Sequence, residues 1–403
     1  MTARRPAAGT LDPGRLRDAL AERLPAELDP AAIRISRAPG RVNLIGEYTD
    51  FNDGYVLPVA IGLEIRIAFV PTDDRRVEVT LEATGETAGF DLDAIGERRG
   101  DWLDYVAGTA RSLADAGIPL RGVRGLLASD LPVGAGLSSS AALELATAHA
   151  LIADPADATD RPRLARLAQR AENEYVGVGC GIMDQFASSV GNRAGAILLD
   201  CRSLEHERVR IPLERVALVV CDTGAPRRLH GSAYNDRRAS CERIVGLLAE
   251  RGAPVRALRD VDEELLGSLA GLADAVDLRR AEHVVREDVR VLETVAALEA
   301  GDLEAVGRLF AESHASLRDL FEVSSTELDA LVETALGVPG VVAARMTGAG
   351  FGGCTVNLVR HDALPALERA VETTYRRRTG RVPRVLVVEP ASGAGLVGPG
   401  LVA

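Results

Sequence analysis

A protein of mixed helices and strands, with room for two or three domains or for two lobes sharing one site, is what the sequence predicts. Length sets part of that expectation, since 403 residues exceed a single average domain. Pattern sets the rest. Apolar alternation and hairpin turns dominate residues 34–82, and apolar residues at helical spacing dominate much of 236–336. Between these regions the stretch 130–145, DLPVGAGLSSSAALEL, joins a strand to a helix through a glycine-spaced loop. Glycine lets backbone N–H groups approach a ligand closely, serines can cap the helix start, and the positive end of the helix dipole favours an anion. The stretch therefore reads as a phosphate cradle.

Taken in order, residues 13–23 read as an amphipathic helix that Pro25 and Pro30 close. Arg34 to Val70 reads as strands and hairpins, with alternation at Leu63, Ile65, Ile67 and Phe69 and turns at Pro39-Gly40 and Asn52-Asp53-Gly54. Arg41, Asn43, Glu47, Tyr48, Thr49, Asp50 and Asn52 cluster among these apolar strands, which suits a site wall better than a solvated turn. Residues 76–82 continue the β pattern, and a helix carrying Trp102 and Tyr105 ends near Gly117. The single tryptophan is placed either in the core or against a nucleotide base. RGVRGLLASD is the strand that delivers the chain into the cradle.

A helix around 161–176 leads through Glu172 and Glu174 to Asp184, which lies beside Ile182 and Met183 in a partly buried setting. GAILLD and RVALVVCDTG are strands on either side of a turn near 202–213, where the lobe boundary is placed. Helices follow over roughly 236–251, 278–299, 302–320 and 325–336. HGSAYNDRRASCERI (230–244) sets Tyr234 ahead of two arginines, and GVVAARMTGAGFGGCTVNLV reads as helix, glycine loop and strand. The basic run 375–385 reads as a solvated edge, without the aromatic interleaving that nucleic-acid stacking needs. The tail SGAGLVGPGLVA reads as partly flexible.

Composition narrows the function. A net charge of −12 disfavours a general nucleic-acid or anionic-membrane surface. No apolar run approaches the roughly 18 residues of a membrane span, and the first 20 residues lack the apolar core of a secretory signal. Cys180, Cys201, Cys221, Cys241 and Cys354 form no CxxC pair, which points to a reduced, cytoplasmic setting. The six histidines show no metal-binding spacing, so a structural zinc site is disfavoured. All 47 basic residues are arginine. A P-loop NTPase, a protein kinase and a pyridoxal phosphate enzyme each need a lysine, so all three are disfavoured together. Gly348 to Gly353 match GxGxxG but open a strand late in the chain, which argues against a dinucleotide fold. A glycine hairpin packed against the phosphate loop explains them better.

Three stretches carry a resemblance. APGRVNLIGEYTDFNDGYVLP (38–58), LPVGAGLSSSAA (131–142) and MTGAGFGGCTVNLV (346–359) are similar to the motifs of the GHMP small-molecule kinases. The first of them, with GCGIMDQF (179–186), resembles the galactokinases within that superfamily. The resemblance implies an α+β fold of two lobes with the site between them: a ribosomal-protein-like lobe over 1–209 and a ferredoxin-like, helical lobe over 210–403. It implies transfer of the ATP γ-phosphoryl group to the anomeric hydroxyl of galactose. Carried over by motif, Asp184 is the base and Arg41 sits beside it, lowering its pKa and stabilising developing charge. Glu47, Tyr48, Thr49, Asp50, Asp184 and Tyr234 contact the sugar, and Gly134, Ala135, Gly136, Leu137, Ser138, Ser139 and Ser140 hold the ATP phosphates. Ser140 and Glu172 are ligands of Mg²⁺. ATP and galactose are the expected partners, with a monomer or a dimer as the expected assembly.

The chemistry agrees. Phosphoryl transfer needs placement and charge neutralisation more than covalent help, and a carboxylate in reach of the acceptor hydroxyl can act as base. One departure matters. The family usually has histidine where this chain has Tyr48, and often tyrosine at Phe51. Two alternatives therefore stay open: a kinase for a related aldose or amino sugar, and a non-catalytic sugar- and ATP-binding regulator on the same fold. Another GHMP kinase, for mevalonate or homoserine, is disfavoured by the sugar-type first motif and by Tyr234-Asn235.

Overall fold

The computed structural model describes residues 11–132, 134–225 and 231–398, with the side chains of 231 and 232 left aside. The start of the leader reading (1–10), Val133, His230 and the end of the tail (399–403) lie outside the described residues. Strands β1 (Arg34–Asn43), β2 (Tyr55–Val56), β3 (Pro58–Thr72), β4 (Arg76–Leu81), β5 (Thr87–Asp91) and β6 (Gly122–Ser129) precede the glycine–serine loop. β7 (Gly195–Asp200), β8 (His206–Arg210) and β9 (Val216–Asp222) lie mid-chain. β10 (Val341–Met346), β11 (Cys354–Arg360), β12 (Arg384–Val388) and β13 (Gly395–Val397) come near the end. Among the described residues they form a six-stranded sheet, β13-β1-β3-β6-β4-β5, a four-stranded sheet, β10-β11-β9-β12, and a three-stranded sheet, β2-β7-β8.

Among the described residues the α-helices are α1 (Pro13–Ala21), α2 (Leu103–Asp115), α3 (Ser139–Leu151), α4 (Arg161–Arg170), α5 (Met183–Val190), α6 (Gly231–Glu250), α7 (Glu263–Gly267), α8 (Ala275–Glu299), α9 (Leu303–Asp319), α10 (Thr326–Leu336), α11 (Leu364–Ala370) and α12 (Arg376–Thr379). Their starts follow from side-chain chemistry. Asp12, Asp160, Asp274, Asp302 and Ser325 each accept from a backbone N–H of the first turn they open, a cap worth about 1 kcal/mol. Strand β3 shows why the large sheet is apolar on both faces. Its Ile65, Ile67 and Phe69 enter the main core, while Ala68 and Val70 pack with Leu16 and Leu20 of α1. The main core is continuous between the two halves of the chain: Leu44, Ile45 and Leu57 share it with Val291, Val295 and Phe310. None of the described helices is long and apolar enough to cross a membrane.

Three expectations are corrected. Val341–Met346 is strand β10 rather than helix, because its valines and its pairing with β11 from Ala343↔Leu358 to Met346↔Thr355 outweigh the helix preference of Ala343 and Ala344. The turn expected near 202–213 contains strand β8, which pairs with β7 and buries Val209 opposite Ala196. The tail contributes β13, antiparallel to β1 with Ile35↔Val397 and Arg37↔Gly395. A strand from the end of the chain thus closes the sheet built by the first half.

Helix α8 also props the turn between β1 and β2. Asp288 Oδ1 accepts the Tyr55 N–H at 2.8 Å, and a Cβ on Gly54 would meet that oxygen at 2.2 Å. Burial pushes the Asp288 carboxyl from 3.8 up to about 7. The folded chain therefore holds a proton that the unfolded chain releases across that window, and this group's contribution to stability is lost as pH rises through about 7. Asp288→Asn keeps the acceptor and removes the ionisation. Its unfolding free energy relative to wild type should rise by on the order of 1 kcal/mol or more between pH 4 and pH 8. Denaturant melts at the two pH values measure this, and an unchanged difference would refute the assignment.

Candidate active site

The end of β1, the glycine–serine loop, the segment 172–184 and the hairpin between β10 and β11 meet around one cavity of about 350 Å³. Arg41 is the hub. Its register slips relative to β3 between Pro39 and Arg41, and a Cβ on Gly40 would lie 2.6 Å from the Leu137 carbonyl, so the loop packs directly on the strand. Arg41 donates its backbone N–H to Leu137 O at 3.1 Å. Its guanidinium donates through Nε to Asp184 Oδ1 at 2.8 Å and through Nη1 to Gly136 O at 2.7 Å. Nη2 approaches the same Asp184 oxygen at 2.7 Å. The arginine is 4% exposed and the Asp184 side chain 27%, so the carboxylate faces the cavity while its cation is sealed behind it.

The phosphate loop departs from the sequence expectation in one respect. Gly134 and Gly136 take positive φ values of 72° and 77°, as their glycine identity allows. Ser138 also enters the left-handed region at 60°, and no side chain caps α3. The uncapped first N–H groups of this 13-residue helix are left for an anion. Gly348 and Gly353 of the β10–β11 hairpin crowd this loop: a Cβ at either would sit 3.0 Å from Gly136 O or Ala135 O, respectively. The expected glycine hairpin against the phosphate loop is therefore present.

Glu172 sits in a π-helical turn, Ala171–Val176, directly after α4. Extra-residue turns of this kind are frequent at functional sites. Ser140 and Glu172 both line the cavity, and Gln185 Nε2 donates to Glu172 Oε2 at 2.6 Å and to Glu144 Oε2 at 3.1 Å. Burial first, and neighbouring carboxylates second, push both glutamates upward, so the pair favours keeping a proton.

The turn after β1 forms the opposite wall. Glu47 is buried, accepts the Gly348 N–H at 3.1 Å and pairs with Arg345. Asp50 accepts from the Phe51 and Met183 N–H groups at 3.0 and 3.3 Å. Burial, then the charge of Asp184, raises its carboxyl to about 6. Gly181 makes room for it, since a Cβ there would lie 2.0 Å from the Asp50 carboxyl. Tyr48 has φ 69° and donates its hydroxyl to Ala349 O at 2.6 Å. Its ring packs 4.5 Å from Phe321 and 5.3 Å from Tyr234, centroid to centroid. Tyr48 can thus meet a ligand hydroxyl as an acceptor and as an apolar edge.

The cavity brings together Arg41, Glu47, Tyr48, Asp50, Gly134, Gly136, Ser138, Ser139, Ser140, Glu172, Asp184 and Tyr234. Three expected residues do not face it. Thr49 is fully buried, with its hydroxyl turned to Gly46 O and Tyr55 O. Ala135 and Leu137 bury their side chains in the main core, and Leu137 serves through its carbonyl. Trp102 lies at the edge of the core with Nε1 donating to Glu86 at 3.0 Å, and Tyr105, one helical turn on, lines the cavity instead. Sequence reasoning missed Tyr105, Cys180, Glu144 and Gln185. Glu144 was findable, because it lies four residues after Ser140 on one face of α3; Gln185 follows Asp184 directly.

Comparison with known proteins converges on one family. The galactokinase galactose-binding signature matches residues 26–71, the GHMP kinases N terminal domain 104–192 and the GHMP kinases C terminal domain 294–377. The chain is 45% identical to the galactokinase of Roseiflexus sp. (strain RS-1) over 90% of its length and 93% of the relative's. It is also 45% identical to the galactokinase of Chloroflexus aurantiacus, with the same coverage. Lactococcus lactis galactokinase complexed with galactose superposes with a TM-score of 0.89 at 36% identity, covering 94% of this chain and 98% of that one. Methanococcus jannaschii mevalonate kinase, 18% identical with a TM-score of 0.62 over 89% and 98%, shares the fold.

Proposed function

Since the chain belongs to the galactokinases, a family within the GHMP kinases with their two-lobed α+β fold, we infer that it transfers the γ-phosphoryl group of ATP to the anomeric hydroxyl of galactose, giving α-D-galactose 1-phosphate. The observation that supports this most is the Arg41 guanidinium, which bonds the Asp184 carboxylate and the Gly136 carbonyl of the phosphate loop at once. In this reading Asp184 accepts the proton of the anomeric hydroxyl as its oxygen attacks the γ-phosphorus in line with the departing ADP oxygen. Arg41 keeps Asp184 aimed and holds a fixed positive charge beside the forming bond. Glu47, Asp50 and Tyr48 receive hydrogen bonds from sugar hydroxyls, and Tyr234 packs beside them. The start of α3, with Ser138, Ser139 and Ser140, receives the phosphates.

Ser140 and Glu172 suit Mg²⁺. A hydroxyl and a carboxylate lining the same cavity offer a hard-oxygen pair, and Mg²⁺ commonly takes one or two carboxylates with substrate phosphates and water. Among the described residues no three His, Cys, Asp or Glu side chains converge into a metal cage, so substrate oxygens would complete the shell. When bound, the cation neutralises charge on the β- and γ-phosphates. The five cysteines form no disulfide, which supports placement in the reducing cytoplasm, as a monomer or dimer.

Release of ADP over a panel of aldoses, with product regiochemistry by NMR, tests the inference. Galactose should be the preferred acceptor, with phosphate on the anomeric carbon; no turnover on any hexose would sink it. Tyr48 is the residue to vary for preference among sugars. Tyr48→His breaks the bond to Ala349 O and the ring contacts with Phe321 and Tyr234. It should change the ranking of galactose epimers and deoxy sugars by about tenfold, the worth of one neutral hydrogen bond. An unchanged ranking would mean that the tyrosine is neutral for specificity.

A further inference from the structure

We propose that Arg345, a residue outside the cavity, is a positioning residue for sugar binding: it aims the Glu47 carboxylate at the sugar. This rests on the reading that Glu47 contacts the sugar. Arg345 is the penultimate residue of strand β10 and is fully buried. Its Nη1 donates to Leu44 O at 2.9 Å, and Nη2 pairs with Glu47 Oε2. The other Glu47 oxygen, Oε1, accepts the Gly348 N–H at 3.1 Å. One planar guanidinium thus grips both the backbone and the carboxylate of the segment 44–47, and the β10–β11 hairpin holds the second oxygen. Each carboxylate oxygen accepts from more than one donor. With the Arg345 cation against one oxygen and the Gly348 N–H on the other, the Glu47 carboxylate is held in place before a sugar arrives, and preorganised acceptors bind more tightly than free ones.

A purely structural ion-pair network is the competing account, and the neighbouring charges separate the two. Glu287 is also fully buried, and its carboxylate stands 3.6 Å from Arg345. It has its own cation, however, in Arg290 at 2.8 Å, and its own donors in Ser313 and the Gly46 N–H. Among the described residues Arg345 is the cation paired with Glu47, and it offsets part of the rise that burial imposes on the Glu47 carboxyl. Arg290 therefore serves the interior, whereas Arg345 serves a residue that lines the cavity. Lysine cannot replace it, since a single ammonium on a flexible stem does not span Leu44 O and Glu47 together.

The test measures galactose binding by calorimetry without nucleotide, together with KM for galactose and for ATP. Arg345→Met and Glu47→Gln should each raise the galactose Kd and KM by about 10- to 100-fold, the worth of a charge-assisted hydrogen bond. The KM for ATP should stay within about threefold, and the double variant should be no worse than the poorer single one. Arg290→Met should lower the thermal midpoint yet leave galactose affinity within about threefold, because it touches only the interior part of the network. If Arg345→Met fails to accumulate as folded protein, Arg345→Lys keeps the buried charge and carries the same expectation. Loss of galactose affinity in Glu47→Gln, with none in a folded Arg345 variant, would overturn the proposal. So would an equal loss in Arg290→Met, which would mean general loosening. Wild-type affinity in Glu47→Gln would instead remove the reading of Glu47 as a sugar contact, and the proposal with it.

Discussion

Asp184→Asn lowers kcat by about 10³-fold while ATP affinity stays within about threefold of wild type. The asparagine oxygen can still accept from Arg41 Nε, now 2.8 Å from Asp184 Oδ1, so the wall of the site survives. An amide has no basicity at neutral pH, and the anomeric proton loses its acceptor. The substitution also removes a negative charge that raises the carboxyls of Asp50 and Glu172. Both should titrate lower in the variant, which favours the ionised form of Glu172 that would hold Mg²⁺. Single-turnover rates with galactose and calorimetric titration with ATP separate the two effects. A rate near wild type would show that another group is the base.

Arg41→Met is the second large effect, with kcat/KM falling about 10²- to 10³-fold. The wild-type guanidinium makes one bond to the phosphate loop and a two-nitrogen contact with Asp184, and it is 4% exposed. Methionine fills the space but leaves a carboxylate and the Gly136 carbonyl without their donor. Arg41→Lys should recover little, because an ammonium cannot reproduce a planar fork that faces two partners. In the proposed mechanism Arg41 acts through Asp184 as well as on the phosphates, so the loss in the double variant with Asp184→Asn should fall short of the product of the single losses. A multiplicative double variant would mean that the arginine works only on the nucleotide. Steady-state kinetics on the four proteins decide between these outcomes.

Much of this site was legible because its chemistry is written in local motifs. The turn after β1, the glycine–serine loop and the segment 179–186 each carry several cavity residues in a short span, and these motifs carry the family resemblance that names phosphoryl transfer. Helices with an aspartate or serine cap and a long apolar period, such as α8, α9 and α10, were equally readable. What escaped depends on distant contacts. Val341–Met346 has alanines that favour helix, and only its partner β11 makes it a strand. Thr49 looks like one more polar residue of the sugar turn, yet the fold uses its hydroxyl to close that turn. Glu144 looks like an ordinary helix glutamate until Gln185 is seen bridging it to Glu172. Arg345 sits just before the glycine motif at 348–353, and its ion-pair partner Glu47 lies some 300 residues earlier in the chain.

Strand β13 has a consequence for how the molecule is made. It pairs with β1 across roughly 360 residues of intervening chain, Ile35 facing Val397. During synthesis the large sheet emerges with that edge bare, and its backbone groups remain unpaired until residues 395–397 have left the ribosome. An unpaired edge is a template for association with other chains. The nascent protein is therefore exposed to mispairing for most of its translation, and closure of the sheet is a late event set by chain length rather than by local propensity. Ribosome-bound chains stalled before residue 390 should rapidly exchange those β1 amides of residues 35–37 that bond β13, and chains that include β13 should exchange them slowly.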